Sequence, residues 1–424
     1  MSEPGVSDLL TVAQAIAIID ATPVAPRVVQ MPLQEAQGLR LAEDLRADRN
    51  YPPFDKSLMD GFAVRCADLA RVPAELKVVG EVAAGQSSSR ALGAGEAMAI
   101  MTGAPIPPGA DCVVPVEETT SSGAGVRITG TSKPGRYIAK SGSDAPQGQV
   151  VLKAGTRLEA GGLAAAASVG AAMVKVFAAP RVAIFATGDE IVPFDSPPAP
   201  SEIRNSNNIM MSSLLRRMGC RVIDLGIIAD KPESIRHALL KALAVDAAVI
   251  SGGMSMGRYD FVPAILKELG AELKIGKLRI KPGKPFIFSS VDRKAVGTRK
   301  TEGDPVMIGP VEGVCQVFGL PGNPVSGFVC LLRLASRLFA RMSGGMPVER
   351  WLNGKLATPL EANGPREFYQ PVLLEWSSQD LLVRPLPWKG SADLFTLAAA
   401  HGLLVRAENE PAKPAGAEVR VMDI

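Results

Sequence analysis

The sequence predicts a multidomain chain of the α/β plus β class, on three observations. From Pro180 onward, short apolar runs alternate with amphipathic segments, the rhythm of a doubly wound parallel sheet with helices on its faces. Before that region and after it, short runs are broken by Gly and Pro, the punctuation of β domains. The length, 424 residues, is too great for one ordinary core: at about 150 residues per domain the expectation is near three.

In chain order, Ser7 to Ala21 reads as an amphipathic helix with Ser7 as N-cap, and a second short helix is expected near Gly38 to Asp44. Tyr51 to Val64 contains Pro52 and Pro53, which forbid a helix interior, and reads as a fixed loop feeding a strand. Strands are expected at Lys77 to Val82, Gly95 to Met101 and Cys112 to Val116. The alanine-rich stretch Gly161 to Gly170 reads as a small helix that rejoins the N-terminal segment. Residues 1–48 and 140–176 are therefore expected to form a discontinuous helical linker domain around a β-rich domain at 49–139.

The α/β domain is expected at 177–343. Its strands are placed at Val182 to Ala186, Val222 to Ile228, Ala247 to Ile250, Phe286 to Ser289 and Cys315 to Leu320. Its helices are placed at Ile209 to Met218, capped by Asn207 or Asn208, from Pro232 through Ala242, from Phe261 to Gly270, and over Val325 to Met342. Val291 to Gly313 is polar and reads as an exposed hairpin tip or loop. Residues 344–424 read as a small β-barrel-like domain, with strands at Val372 to Trp376, Leu381 to Pro385 and Val419 to Met422 and a helix from Ala392 to Ala400.

Composition narrows the function. A net charge of +3 over this length gives no support for general nucleic-acid binding. The five cysteines are widely spaced with no Cys-x-x-Cys, which points to a reducing compartment and structural roles for them. With two histidines in the chain, histidine-rich metal sites and Ser-His-Asp catalysis are poorly supplied. No apolar run reaches membrane-spanning length, no secretory leader is evident, and the protein is expected to be cytoplasmic.

The chemistry concentrates in loops at strand ends, where ligands bind in open α/β sheets. Ser251-Gly252-Gly253, with Ser255 and Gly257 following, is a small-residue loop between a strand and a helix. Its backbone can approach an anion closely. Glu190, Asp230 and Asp260 stand after successive strands, where they can converge and hold Mg²⁺ on a phosphate. Lys277 to Pro285 brings four cations into one short segment, which a polyanionic ligand would relieve, and Pro282-Gly283 turns the chain sharply. Read alone, each acid is as well explained by a helix cap or a turn.

The ordered set of motifs resembles the molybdopterin molybdenumtransferases, the metal-insertion enzymes of molybdenum cofactor synthesis related to the gephyrin E domain. The matching runs are Pro52-Pro53 with Ser57-x-Met59-Asp60-Gly61-x-Ala63, Met101-Thr102-Gly103-Ala104, Thr187-Gly188-Asp189-Glu190, Ser251 to Asp260, Lys281-Pro282-Gly283-Lys284-Pro285 and Gly319 to Ser326. Gly390-Ser391, Ala398 with Gly402, and Ala415-Gly416 with Val419 also resemble the family.

The resemblance implies four domains, a homodimer, Mg²⁺, and molybdate with adenylylated molybdopterin as substrates. Other enzymes of cofactor synthesis are implied as partners. It implies catalytic roles for Asp60, Thr102, Asp144, Glu190, Asp230, Asp260, Lys277 and Lys281, with the metal on Glu190, Asp230 and Asp260. Substrate binding is implied for Ser251, Gly252, Gly253, Ser255, Gly257, Pro282, Gly283, Lys284, Pro321, Gly322, Asn323, Pro324 and Ser326. Arg366 and Ser391 are expected to reach the site of the other subunit. The alternatives are a molybdopterin adenylyltransferase on the same α/β domain and a non-enzymatic pterin-binding scaffold.

Overall fold

A computed structural model describes residues 9–254, 261–296, 313–377 and 380–424. By internal contacts the chain divides into two units, Gln30–Val176 and a second unit made of residues 1–29 with Phe177–Ile424.

At the centre of the second unit is a six-stranded sheet. Its spatial order is Arg221–Ile228, Arg181–Thr187, Ala247–Ser251, Val314–Leu320, Pro285–Asp292, Glu272–Lys277. The first four strands are mutually parallel, as the strand–helix alternation predicts. Pro285–Asp292 runs antiparallel to both of its neighbours. The Ala247–Ser251 strand is buried along its whole length, as a strand covered by helices on both faces must be. One apolar core, around Phe286, Phe288, Phe318 and Phe339, fills one face; a second, around Phe185, Ile250, Ile265 and Val317, fills the other.

The chain passes from Arg181–Thr187 to a neighbour on one side, then crosses back to Ala247–Ser251 on the other. The switch point of the sheet therefore lies between the carboxyl ends of these two strands, where a crevice forms outside the sheet.

The predicted helix over Val325 to Met342 is one helical stretch with a π-helical segment at Leu331–Ala335, between Pro324–Cys330 and Ser336–Met342. Five strands, Trp351–Leu356, Glu367–Trp376, Leu381–Pro385, Gly402–Arg406 and Glu418–Asp423, close into a barrel because Glu367–Trp376 pairs with both Leu381–Pro385 and Gly402–Arg406. A sixth short strand, Ile280–Lys281, adds to the barrel beside Glu367–Trp376.

The N-terminal helix departs from expectation. It spans Val12–Ala21, started by a capping box of Thr11 and Gln14 rather than by Ser7, which lies outside the described residues. It packs in the α/β unit, not with residues 140–176. Val12, Ala15 and Ile19 enter the core that holds Leu338 and Phe339. Arg337 binds Asp20 through two nitrogens, at 2.9 and 2.5 Å, and Arg341 donates to the carbonyls of Ile19 and Thr22.

Residues 30–176 form a six-stranded sheet in the order Cys112–Pro115, Gly61–Val64, Glu96–Ile100, Ala74–Val82, Gly125–Ile128, Thr119–Ser122. They also include the helix Ala160–Ser168 and short paired strands. The helix expected at Gly38 to Asp44 is absent: Gly38 has positive φ and Arg40–Leu41 is a strand edge on Met173–Phe177. Most of Val291 to Gly313 lies outside the described residues. Its two ends are tied by a hydrogen bond from Arg293 N–H to the Gly313 carbonyl. Among the described residues no helix is long and apolar enough to cross a membrane.

Candidate active site

Three loops meet at the switch point, and close backbone approach explains their glycines. A Cβ on Gly252 would stand 2.2 Å from the Thr187 carbonyl oxygen, and Gly252 has φ +90°, so no other residue fits there. The Gly322 Cβ position lies 3.7 Å from the Gly252 Cα, which brings in the loop after Val314–Leu320. Gly252 N–H donates to the Leu320 carbonyl at 3.2 Å. That amide braces the loop and is not open to an anion, contrary to the expectation for the loop as a whole.

Asn207 ties two of the three loops together, those of Ser251 and Gly322. Expected as a helix cap, it lies instead inside the first turn of Asn207–Arg217. Its Nδ2 donates to Ser251 Oγ and to the Gly322 carbonyl, both at 2.7 Å. Its Oδ1 is buried and meets no donor among the described residues. A buried acceptor without a donor is costly, so this atom is suited to an N–H or O–H brought by a ligand. Sequence reasoning misses Asn207 because Asn before a helix has a commoner explanation.

Glu190 and Asp230 both belong to this edge. Thr187 Oγ1 donates to Asp230 Oδ1 in a short hydrogen bond, and the Asp230 amide donates to Asp189 Oδ1 at 3.1 Å. Gly188 clears room for the Glu190 carboxylate, whose Oε2 would stand 2.8 Å from a Cβ at that position. Thr187 and Asp189 thus brace Asp230 from the neighbouring strand end. Ser255, Gly257 and Asp260 lie outside the described residues.

These oxygen donors are of the type a hard divalent cation takes. Glu190 and Asp230 follow the ends of neighbouring strands, Arg181–Thr187 and Arg221–Ile228, and the third expected acid, Asp260, lies outside the described residues. That fits Mg²⁺, which binds through one or two carboxylates, several waters and substrate phosphates rather than in an all-protein cage.

The basic segment is less crowded than its sequence indicates, because Arg279 and Lys281 are separately compensated. Leu278 and Ile280 are buried between them. Arg279 pairs with Glu408 at 3.3 Å. Lys281 Nζ lies 4.4 Å from the Phe368 ring centroid and 5.7 Å from that of Trp388, so aromatic faces hold the ammonium in place. Lys277 ends the outer strand of the α/β sheet, opposite Pro285.

Pro282 and Gly283 are packing residues as much as lining residues. A Cβ on Gly283 would meet Cys330 Sγ at 2.6 Å and the Ser326 carbonyl at 3.8 Å. This contact sets Lys281 to Lys284 beside the loop Pro321-Gly322-Asn323-Pro324. There Asn323 N-caps the helix by position without a side-chain bond to it. Its Nδ2 instead donates to Ser391 Oγ at 2.9 Å, and Val325 N–H donates to the Ser391 carbonyl. Ser391, expected at the other subunit's site, therefore touches the strand-end loop of its own chain. Arg366 immediately precedes the strand that carries Phe368 beneath Lys281.

The Gln30–Val176 unit carries the remaining acids. Asp60 Oδ1 accepts from both Thr102 N (2.7 Å) and Thr102 Oγ1 (2.9 Å). The backbone bond first, and the hydroxyl second, hold the Asp60 carboxyl below the usual range. The loops around this pair are laced by Ser57 N–H to the Ala104 carbonyl, Gly103 N–H to the Ser57 carbonyl and Leu58 N–H to the Tyr137 carbonyl. Asp144 follows on the last of these loops, with its Oδ1 accepting from Ser143 Oγ at 3.3 Å.

Comparison with known proteins matches nearly the whole chain to one family. Residues 10–170 match the MoeA N-terminal region (domain I and II), 183–340 a probable molybdopterin binding domain, and 353–424 the MoeA C-terminal region (domain IV). A molybdopterin molybdenumtransferase of Nostoc sp. is 33% identical over 407 residues, covering 92% of this chain and 88% of the relative. One of Bacillus subtilis is 32% identical over 409 residues, with the same two coverages, 92% and 88%. The crystal structure of a molybdopterin biosynthesis MoeA protein from Pyrococcus horikosii matches with a TM-score of 0.79 at 30% identity, covering 98% of this chain and 99% of that one. With a shared architecture over nearly the whole length and relatives above 30% identity, the chain belongs to the molybdopterin molybdenumtransferase family.

Proposed function

We propose that this protein inserts molybdenum from molybdate into adenylylated molybdopterin, with Mg²⁺-dependent hydrolysis of the adenylate that releases AMP and molybdenum cofactor. The observation that carries this reading is the switch-point crevice, where Glu190, Asp230, Ser251, Gly252, Gly322 and Asn323 stand on the loops after four adjoining strands with the buried, donor-seeking Oδ1 of Asn207. A pterin carries the N–H groups that such an acceptor needs, and a phosphate suits the small-residue loop.

Bound Mg²⁺ at Glu190, Asp230 and Asp260 would supply Lewis-acid polarisation of the phosphate oxygens. The chain's own groups do the rest. Thr187 fixes the Asp230 carboxylate, and Lys277, Lys281 and Lys284 offset charge on phosphoryl or molybdate oxygens. Pro321, Pro324 and Ser326 shape the walls, and Ser255 and Gly257 are assigned to substrate binding on the family resemblance alone. Asp60, held ionised by Thr102, and Asp144 act as carboxylates toward substrate, as the family resemblance implies, and Arg366 assists from the barrel. We further assign the protein to the cytoplasm as a homodimer working beside other enzymes of cofactor synthesis, which light scattering on purified protein tests for the dimer.

One assay separates this reading from its rivals: purified protein with adenylylated molybdopterin, Mg²⁺ and molybdate, with AMP followed over time. Molybdate-dependent AMP release is expected. Formation of adenylylated pterin from ATP and pterin would assign the adenylyltransferase instead, and pterin binding without turnover would assign the scaffold.

A further inference from the structure

Cys66, Asp111 and Cys112 take no part in the chemistry described so far, yet the fold gathers them. Gly61–Val64 pairs antiparallel with Cys112–Pro115, which sets Val64 opposite Cys112. The chain leaves the strand at Arg65 and turns at once into the short helix Cys66–Leu69, so Cys66 folds back toward its strand partner. Two hydrogen bonds lock the crossing. Cys66 N–H donates to Asp111 Oδ1 at 2.6 Å, and Asp111 N–H donates to the Val64 carbonyl at 3.1 Å.

The result is two sulfurs and a carboxylate oxygen that all lie within 4.8 Å of one another, a set not matched elsewhere among the described residues. Tetrahedral zinc, with Zn–S bonds of about 2.3 Å, sets its sulfurs about 3.8 Å apart, within reach of small rotamer changes here. A fourth oxygen is at hand. Gly135 N–H donates to the Asp111 carbonyl and so holds the 131–136 loop against the cluster. On that loop Ser132 Oγ is buried and makes no hydrogen bond of normal geometry.

Burial is graded across the three ligands. Cys112 is fully buried, Cys66 half-buried and Asp111 exposed, so the set runs from the interior to the surface. Two soft thiolates with one carboxylate select against the hard Mg²⁺ of the α/β unit and in favour of a borderline cation. We propose that Cys66, Asp111 and Cys112 form a binding site for one thiophilic divalent cation of the Zn²⁺ type, separate from the molybdopterin chemistry.

The test uses the full-length protein, reduced and stripped with chelator, titrated with Co²⁺ as an optical probe and then with Zn²⁺ as competitor. The expected result is one equivalent of Co²⁺ with a thiolate-to-cobalt charge-transfer band that Zn²⁺ displaces. Cys66→Ala, at a half-buried position that tolerates a smaller side chain, and Cys112→Ser should each abolish the band. Asp111→Asn should keep the band and weaken Co²⁺ by about tenfold or more, in line with the effect of disturbing a ligand set. Glu190→Gln should leave the thiolate-to-cobalt band unchanged. Absence of the band in the wild-type protein, or its survival in the Cys66→Ala, Cys112→Ser double variant, would overturn the proposal.

Discussion

At the scale of single residues, Asp60 and Asp230, two carboxylates of the proposed chemistry, are each held by a threonine. Asp60 owes its lowered pKa to the Thr102 amide and hydroxyl. Replacing Thr102 by Val removes the hydroxyl and keeps the amide, so the Asp60 pKa should rise toward the ordinary aspartate value without reaching it; carboxyl-carbon NMR titration measures this. The sign follows from the depressed folded-state value. Whatever this bond adds to folding is present above the unfolded pKa and lost as pH falls through the folded one, an acid-side effect that neutral pH does not reveal. Asp230 is a different case, held by Thr187 at the strand end. Asp230→Ala should lower molybdate-dependent AMP release by about 10²-fold or more, the scale of losing one electrostatic group in a reaction centre, while circular dichroism stays unchanged. Unimpaired AMP release in this variant and in Asp60→Ala would remove both residues from the site.

At the scale of elements, the crevice is made by loops too close together for side chains between them. Gly252→Ala would drive a methyl into the Thr187 carbonyl from a backbone at φ +90°. We expect it to destabilise the α/β unit by about 2 kcal/mol or more and to abolish pterin binding, read by calorimetry and fluorescence. Asn207→Leu is the subtler test. It removes donors to Ser251 and Gly322 and strands both, so pterin affinity should fall at least about tenfold with a smaller loss of stability. Equal affinity would mean that the buried Oδ1 faces no ligand. The strand–loop–helix order behind this is legible from the apolar runs and the glycines. The role of Asn207 is not, because its partners lie 44 and 115 positions away and nothing local distinguishes it from a cap.

At the scale of the whole molecule, the first helix shows how distant segments complete a core. Ile19 is fully buried among residues from the last helix of the α/β domain. Ile19→Ala should cost about 2–5 kcal/mol and lower the melting temperature of the unit that also contains the barrel, in a thermal unfolding experiment. Ala17→Gln, at an exposed position of the same helix that enters no core cluster, should shift it little. Sequence alone places this helix with the linker region, because amphipathicity declares that a helix buries a face without saying against what. The basic segment is a second instance. It reads as one charged strand, yet Lys277 ends a strand of the α/β sheet while Ile280–Lys281 joins the barrel, and Arg279 and Lys281 find different partners.

What this chain's sequence determined by itself was its class of fold, the order of its strands and helices and the motif set that marks its family, since periodicity, glycine placement and short loops are local properties. Tertiary structure alone decided that one strand of the sheet runs antiparallel, that Asn207 braces two strand-end loops, that Ser391 meets Asn323 of its own chain and that Cys66 lies beside Cys112. Each of these depends on pairing register and loop closure between residues far apart in the chain, and the energy of such contacts is shared between partners that no single stretch of sequence contains.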